Sequence, residues 1–414
     1  MSTGYPAATV IDARGSHTDI GTAHARASAH LRPQVQQWVD ATLSDYPLED
    51  PTVERRLDEV ISAWRDLTPG TLEQVGAMAE VYQIPARALL AASLGTYMRS
   101  LDRSLGVTDG CTTMAASRPR PVLMKNRDNE SRFLQMQTIL RVRPEEGHAW
   151  LALSTAGAPA VHSSGINAAG LAIADTHVAS RDIGPGVPRF SSMMHILEEC
   201  STTAEAVEYL RTVPQMGLGN LTMVDGEGNT AVVECAFSGS AVIHDVLGDL
   251  DDSGDGDGPG EGAGPGGGGG PGGGHGTRGG ADPRGAVVAT NHYVDPALAS
   301  SLLEPEQGTP GADSRARRET VTTQLRDWAS APDLAAVRSL AATHFWAPGT
   351  VPGEDEPAPG SLCKHGASSR SETISTAVFD PVGRAVELCL GRPCEAPFVR
   401  IGFDGDPVPV PAGG

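Results

Sequence analysis

The sequence Asp109-Gly110-Cys111-Thr112-Thr113 carries the strongest structural signal in this 414-residue chain. The cysteine directly follows a glycine and opens a run of β-forming and small residues that extends to Ala116. A second run of this kind begins at Val122 and leads into Asn126-Arg127-Asp128. We therefore predict two paired strands that bring the carboxylate of Asp128 close to Cys111.

Cleavage of the peptide bond between Gly110 and Cys111 would give one residue both a thiol and an α-amine. A thiol reacts as its thiolate. An α-amine has a pKa of about 7.7–8.0, so it can accept the thiol proton at neutral pH. Glycine suits the cleaved position because it tolerates a strained backbone and leaves its carbonyl open to attack. The pattern favours a self-cleaving enzyme with Cys111 as its nucleophile.

The chain is acidic, with a formal net charge of −20. A nucleic-acid partner would need a basic stripe, and an acidic surface also disfavours anionic membranes. No run approaches the roughly 18–20 apolar residues of a membrane span. The N-terminus lacks the basic and apolar segments of a secretory signal. We expect a cytoplasmic protein that binds neither nucleic acid nor membranes.

The cysteines are scattered along the sequence and form no CxxC pair. They are Cys111, Cys200, Cys235, Cys363, Cys389 and Cys394. This distribution disfavours a disulfide framework and a structural zinc site. We expect reduced thiols and neither a metal nor a cofactor, with the five cysteines other than Cys111 acting as small buried apolar residues.

Residues 1–110 are predicted to be mostly helical, with helical spacing from Gly21 to Trp38 and from Thr71 to Ser100. After Cys111 the pattern changes to short strands. Strands are predicted at 112–117, 121–126, 137–143 and 148–154, in a turn and strand at 166–177, and in hairpins at 221–235 and 373–390. Further helices are predicted at 191–211, with a break near 201, at 313–329 and at 332–343. This order favours a layered α+β fold over a doubly wound sheet.

Residues 249–285 are dominated by glycine, with proline and acidic residues. Such a sequence cannot bury enough apolar surface to offset the entropy lost on ordering. A calcium loop is disfavoured because frames that begin at Asp249 or Asp251 lack a glutamate at their twelfth position. We therefore predict a disordered surface insertion.

Six short motifs follow one another along the chain. They are Arg14–Gly21, Asp109–Thr113, Lys125–Asp128, Gly165–Ala174, Thr290–Tyr293 and Asp313–Arg318. In this order they resemble the motifs of the acyl-coenzyme A:6-aminopenicillanic acid acyltransferases, which are N-terminal nucleophile (Ntn) hydrolases related to penicillin V acylases and bile-salt hydrolases. The resemblance implies a four-layer αββα sandwich. It also implies cleavage before Cys111 into an α chain, 1–110, and a catalytic β chain, 111–414, that stay associated.

The resemblance also implies roles for individual residues. Cys111 is the nucleophile, and Asp128 holds the proton and the orientation of its α-amine. Asn291 donates its amide N–H to the oxyanion, and a backbone N–H near His177 is the second donor.

Five further residues receive supporting roles from the resemblance. Lys125 occupies the place of a basic residue that would lower the thiol pKa, and Arg127 is similarly placed. Tyr293 is expected to line the acyl pocket. Arg318 is expected to brace the site from the start of a helix, together with Ser314.

We therefore expect an enzyme that takes an acyl group from a small-molecule amide or acyl thioester, with acyl-coenzyme A as one candidate. The acyl group would pass through a Cys111 thioester to an amine or to water. Two alternatives stay open, a non-catalytic Ntn-fold binding protein and a Cys–His peptidase that uses His292. In the family that the chain resembles the α-amine is the base, so His292 and His177 are expected to be structural or pocket residues.

Overall fold

The computed structural model describes residues 5–102, 110–118, 120–243, 285–303, 310–328, 333–352, 354–366 and 371–411. Gly285 apart, the glycine-rich insertion predicted at 249–285 lies outside the described residues. The described part of the chain forms two stacked β-sheets with helices packed on both outer faces.

The described strands are β1 (Val10–Gly15), β2 (Cys111–Ala116), β3 (Val122–Asn129), β4 (Gln137–Pro144), β5 (Trp150–Thr155), β6 (Ser164–Asn167), β7 (Ala172–His177), β8 (Gly219–Val224), β9 (Thr230–Ala236), β10 (Gly239–Ile243), β11 (Ala286–Ala289), β12 (Glu372–Asp380), β13 (Ala385–Leu390), β14 (Phe398–Gly402) and β15 (Val408–Pro409). The described α-helices are α1 (His17–Ala27), α2 (Arg32–Asp45), α3 (Pro51–Leu67), α4 (Pro69–Tyr82), α5 (Ala86–Ser93), α6 (Gly95–Leu101), α7 (Arg189–Glu199), α8 (Thr203–Thr212), α9 (Pro296–Ala299), α10 (Pro310–Asp327) and α11 (Leu334–Ala341). None of these helices is both long enough and apolar enough to cross a bilayer.

The first sheet has the strand order β1-β4-β5-β6-β7-β8-β9-β10, and the second has the order β11-β2-β3-β12-β13-β14-β15. In the second sheet β3 lies between β2 and β12, and both pairings are antiparallel. Their registers place Arg127 opposite Cys111 and Thr373 opposite Asp128. The predicted pairing of the strands that follow Cys111 and precede Asp128 is therefore confirmed.

The two sheets bury an apolar layer between them, to which β5 contributes Leu153 and β12 contributes Phe379. The outer face of the first sheet is covered by α1, α7 and α8, with Leu197 of α7 fully buried. The outer face of the second sheet is covered by α10 and α11, through residues such as Val321 and Leu340. Each sheet thus buries both of its faces, which confirms the predicted α+β fold with four αββα layers.

The N-terminal region is mostly helical, as predicted, but it also supplies a strand. β1 forms an edge of the first sheet and pairs in parallel with β4. The sequence Val10-Ile-Asp-Ala-Arg-Gly15 is short and carries two charged residues, so it gives only a weak strand signal. Its partner strand lies more than 120 residues further along the chain, and local periodicity cannot reveal such a pairing.

Several predicted breaks and turns are confirmed. The capping box separates α7 from α8, because Thr202 Oγ1 accepts a hydrogen bond from the Glu205 N–H and Glu205 Oε2 accepts one from the Thr202 N–H, both at 3.2 Å. The predicted hairpins are β8–β9 and β12–β13. The helical stretch predicted from Gly21 to Trp38 is divided between α1 and α2 by a short 3₁₀ turn at Ala29–Leu31.

Candidate active site

Cys111 is the first residue of β2 and lines a cavity of about 350 Å³. Its backbone is held from both sides. The N–H of Cys111 donates to Asn291 Oδ1 at 2.9 Å. Its carbonyl oxygen accepts a hydrogen bond from Nη1 of Arg317. The peptide unit on each side of the cysteine therefore has a defined position.

The peptide bond between Gly110 and Cys111 lies directly against Asp128. The Asp128 N–H donates to the Gly110 carbonyl oxygen at 2.7 Å. A Cβ atom added to Gly110 would lie 2.4 Å from Asp128 Oδ2, so only glycine fits at this position without displacing the carboxylate. Residue 110 is therefore a glycine for a steric reason that the sequence alone does not reveal.

The carboxyl group of Asp128 has one satisfied and one unsatisfied oxygen. Oδ1 accepts a hydrogen bond from Thr373 Oγ1 at 2.6 Å. Oδ2 is buried and has no hydrogen-bond partner among the described residues. Burial raises the pKa of Asp128, while the nearby charge of Arg317 acts in the opposite direction. A buried carboxyl with a raised pKa and an uncommitted oxygen is suited to accept and return a proton.

Lys125 lies beside the thiol, where the sequence predicted a cation. Its side chain is 1% exposed and forms an ion pair with Asp175, with 3.3 Å between Nζ and Oδ1. Asp175 also pairs with Arg189 at 3.2 Å. Burial raises the pKa of the Cys111 thiol, and the charge of Lys125 opposes that rise. In the uncut chain the effect of burial is larger, so the thiol is held mainly in its protonated form.

Asn291 contacts Cys111 through its amide oxygen. Oδ1 accepts from the Cys111 N–H and also from Arg317 Nη2, at 2.7 Å. Because the guanidinium can only donate, this contact fixes which end of the amide is the oxygen. Asn291 Nδ2 in turn donates to the carbonyl oxygen of His177 at 2.8 Å. The oxyanion role stays a prediction: one hydrogen of Nδ2 is bound to His177, and the role requires the second.

Arg317 is the main residue of the site that the sequence analysis missed. It is 2% exposed and donates to Cys111, to Thr112 Oγ1 at 2.9 Å and to Asn291. Its Nε also donates to Asp313 Oδ2 at 2.8 Å, four residues earlier on α10. The spacing of Asp313 and Arg317 was a usable signal, because i,i+4 pairs of opposite charge lie on one helix face. The bracing role was assigned to Arg318, which lines a second and more open cavity.

Two other predicted residues line the same cavity as Cys111. Arg127 donates from Nη2 to Thr155 Oγ1 at 3.0 Å. The imidazole of His177 is buried, and burial lowers its pKa to about 3, so the ring is neutral at physiological pH. The structure thus brings both residues to the cavity, while their catalytic roles stay predictions.

Tyr293 and His292 form hydrogen bonds with residues other than Cys111. The Tyr293 hydroxyl donates to the carbonyl oxygen of Cys235 at 2.6 Å, and Tyr293 lines the same more open cavity as Arg318. His292 Nδ1 lies 2.7 Å from Ser314 Oγ. A role for Tyr293 in an acyl pocket therefore stays a prediction that the hydrogen bond to Cys235 does not favour. The contact with Ser314 agrees with a structural role for His292.

The N-terminal helices form part of the wall of the cavity around Cys111. Trp38 comes from α2, whereas Tyr97 and Arg99 come from α6. The lining also includes Phe190 and Leu218. The cavity is therefore lined by apolar and cationic side chains from residues that precede and residues that follow the Gly110–Cys111 bond in the sequence.

The family model for acyl-coenzyme A:6-aminopenicillanic acid acyl-transferase matches residues 114–395. Comparison with curated proteins gives no match. Among solved structures, a variant of conjugated bile acid hydrolase from Clostridium perfringens is similar at 15% identity, covering 68% of this chain and 89% of that chain with a TM-score of 0.42. Penicillin V acylase from Agrobacterium tumefaciens is similar at 14% identity, covering 68% and 82% with a TM-score of 0.39. On the extent of the family match, the chain belongs to the acyl-coenzyme A:6-aminopenicillanic acid acyl-transferase family.

Proposed function

We propose that the chain matures by cleavage between Gly110 and Cys111 and then transfers an acyl group, through a Cys111 thioester, to an amine or to water. Membership of the acyl-transferase family supports this class of chemistry. The arrangement around one peptide bond carries the rest of the proposal. The Gly110 carbonyl accepts from the Asp128 N–H, the Cys111 N–H donates to Asn291, and an uncommitted carboxyl oxygen of Asp128 lies beside them.

In the maturation step, the carboxylate of Asp128 takes the proton of the Cys111 thiol, and the thiolate attacks the carbonyl carbon of Gly110. The Asp128 N–H, at 2.7 Å from the carbonyl oxygen, stabilises the charge that develops there. The C–N bond then breaks as Asp128 returns the proton to the nitrogen of Cys111. This leaves a thioester between Gly110 and the sulfur, and water hydrolyses it to release two chains.

In turnover, the new α-amine of Cys111 accepts the thiol proton, and the thiolate attacks the acyl carbonyl of the substrate. The ammonium group protonates the leaving amine or thiol, and the acyl group stays on sulfur. An acceptor amine or water then attacks the thioester and loses a proton to the α-amine. Asn291 Oδ1, which is 2.9 Å from this nitrogen, is an acceptor that can orient the amine. An oxyanion role for Asn291 would use the second hydrogen of its Nδ2, since the first donates to the carbonyl of His177.

The cavity suits a small acyl donor. Its volume of about 350 Å³ is at the lower end of the range of roughly 300–1,000 Å³ that is typical of small-molecule sites. Lys125 and Arg127 among its lining residues place positive charge near the thiol. We propose a small amide or an acyl thioester as donor, with acyl-coenzyme A included because the description of the family names it.

The test is intact-mass analysis of the full-length chain and of Cys111→Ala, with Cys200→Ala as the control. Cys200 is also a buried cysteine, but it packs in the core beneath α7 and α8. We expect two fragments divided at 110/111 for the parent and the control. We expect one uncut, inactive chain for Cys111→Ala. Cleavage or acyl transfer by Cys111→Ala would refute the proposal.

The two alternatives give different outcomes in the same experiment. An uncut parent chain with an unreactive Cys111 would favour a binding protein. A Gly110 variant that stays uncut yet remains active would favour a Cys–His peptidase. For the enzyme, incubation with a panel of amides and acyl thioesters should add the mass of one acyl group to the fragment 111–414. Adding a competing amine then separates a transferase from a hydrolase by the product that forms.

A further inference from the structure

Three side chains with sulfur or nitrogen donor atoms cluster at one place, and a fourth lies beside one of them. They are His344, Cys363, His365 and Cys394, from the loop after α11, the loop before β12 and the loop between β13 and β14. The donor atoms of His344, His365 and Cys394 all lie within 4.8 Å of one another. Cys363 Sγ lies 3.6 Å from Cys394 Sγ, and Cys394 Sγ lies 3.7 Å from His365 Nε2.

We propose that these side chains bind one Zn²⁺ ion, with His344, His365 and Cys394 as ligands and Cys363 as the fourth. Two cysteines and two histidines are a common ligand set of structural zinc sites. With zinc–sulfur bonds of about 2.3 Å and zinc–nitrogen bonds of about 2.0–2.1 Å, tetrahedral sulfur–sulfur and sulfur–nitrogen ligand pairs are separated by about 3.5–3.8 Å. The separations of 3.6 Å and 3.7 Å at Cys394 fall within that range. The site goes beyond the acyl-transfer chemistry, and it revises the sequence-based expectation that the chain holds no metal.

Each of the two imidazoles has one ring nitrogen placed to bind the ion. His344 Nδ1 donates to the carbonyl oxygen of Ala342 at 3.0 Å, which leaves the lone pair of Nε2 available. His365 is 5% exposed, and its Nε2 faces Cys394 Sγ at 3.7 Å, so this ring nitrogen is the one placed to bind the ion. Cys394 is exposed, which provides a path by which an ion can enter.

The histidines also favour a metal over a disulfide. Cys363 and Cys394 are free thiols, close enough for either outcome. A disulfide would need only the two cysteines, and it would give no reason for the two imidazoles to lie beside them. A metal ion uses all four side chains at once, so it explains why the two imidazoles lie beside the two thiols.

The zinc would stabilise a loop that supports the active site. Lys364, between Cys363 and His365, donates from Nζ to Asp313 Oδ1 at 2.6 Å, and Asp313 holds Arg317. The backbone of the same loop accepts at Lys364 O from the N–H of Thr373, whose hydroxyl holds Asp128. The proposed ion is therefore structural: it would hold the loop that positions Lys364 and would not contact the reacting atoms.

The experiment is a zinc titration of the full-length, metal-free and reduced protein in competition with a chromophoric chelator. We expect one equivalent of Zn²⁺ to bind, and Cys394→Ser and His344→Ala each to weaken binding at least tenfold. Cys200→Ser and His30→Ala are the matched controls and should bind as the parent does. His30 is an exposed histidine in the N-terminal region.

A second measurement covers the case in which a ligand variant fails to fold. Co²⁺ added to the parent protein should give a thiolate-to-cobalt charge-transfer band with the intensity of two sulfur ligands. The site is refuted if that band is missing, if reduced parent protein binds no stoichiometric zinc, or if Cys394→Ser and His344→Ala fold and bind zinc as the parent does. It is also refuted if only a Cys363–Cys394 disulfide forms and zinc does not bind after reduction.

Discussion

Arg317 offers the sharpest test of how the active site is held together. Its guanidinium is buried and donates four hydrogen bonds, to Cys111, Thr112, Asn291 and Asp313. Replacing it with alanine leaves the carbonyl of Cys111 without that donor, while Asp313 keeps its ion pair with Lys364 at 2.6 Å. Removing one partner of a buried ion pair costs about 3–5 kcal/mol. We expect Arg317→Ala to lower the free energy of unfolding by about 3 kcal/mol, the lower end of that range, because Asp313 keeps Lys364 as a cationic partner.

The assay is equilibrium urea unfolding, with linear extrapolation to water. All variants are made in the Cys111→Ala background, so that a single uncut chain unfolds in every case. Arg315→Ala is the control, since Arg315 is exposed on the same helix, and its effect should stay within about 0.5 kcal/mol. Arg317→Lys keeps the charge but loses the planar guanidinium with its several N–H donors, so we expect an intermediate loss of unfolding free energy.

Maturation supplies an independent measurement of the same contact. With Cys111 restored, Arg317→Ala should cut the precursor about 10- to 100-fold more slowly, because the scissile peptide loses an anchor and small misplacements are costly. A loss of stability below about 1 kcal/mol together with cleavage at the parent rate would refute the role that we assign to Arg317.

Three further changes test other contacts. Gly110→Ala should slow cleavage at least about tenfold, since the new Cβ would lie 2.4 Å from the carboxylate of Asp128; a parent-like time course on denaturing gels would contradict this. Asp128→Asn should slow cleavage by about 10²- to 10⁴-fold through loss of a proton acceptor, and restoration of the rate by raising pH alone would argue against that acceptor. The pKa of His17 is raised by its hydrogen bond to Glu198. The stabilisation by this pair is therefore complete below a pH of about 6.5 and declines as pH rises through the higher folded-state pKa. The difference in unfolding free energy between the parent and His17→Gln, at most about 1 kcal/mol, should accordingly shrink between about pH 5.5 and 8.5, and an increase would show that the pair is misassigned.

Much of the fold could be predicted because its signals are local. The strands β2 and β3 begin as short runs of β-forming and small residues, and the hairpin β12–β13 is turned by Asp380-Pro-Val-Gly383. The capping box at Thr202 needs only four consecutive residues. By contrast, β1 was missed because its stability depends on pairing with a distant strand. Secondary structure that rests on neighbours along the chain is readable, whereas structure that rests on a distant partner is not.

The candidate active site likewise contains contacts that local sequence could predict and contacts between distant residues that it could not. The position of Asp128 near Cys111 follows from two adjacent strands, so sequence reasoning could place it. The meeting of Cys111, Asn291 and Arg317 joins residues about 180 to 206 positions apart, and only the packing of α10 on the second sheet produces it. The four side chains of the proposed zinc site likewise come from three separate loops, which is why no CxxC spacing revealed them.

The amino-acid sequence by itself determined which residue types are available, the order of helices and strands, and the placement of a glycine–cysteine pair at the start of a strand. These properties depend on side-chain periodicity and turn chemistry, which act over a few residues. Only the tertiary structure decided that Asn291 turns its amide oxygen toward Cys111 and that Arg317, rather than Arg318, reaches the Cys111 carbonyl. The physical reason is that a buried donor or acceptor must find its partner wherever the packed layers place one, and that partner is set by three-dimensional proximity.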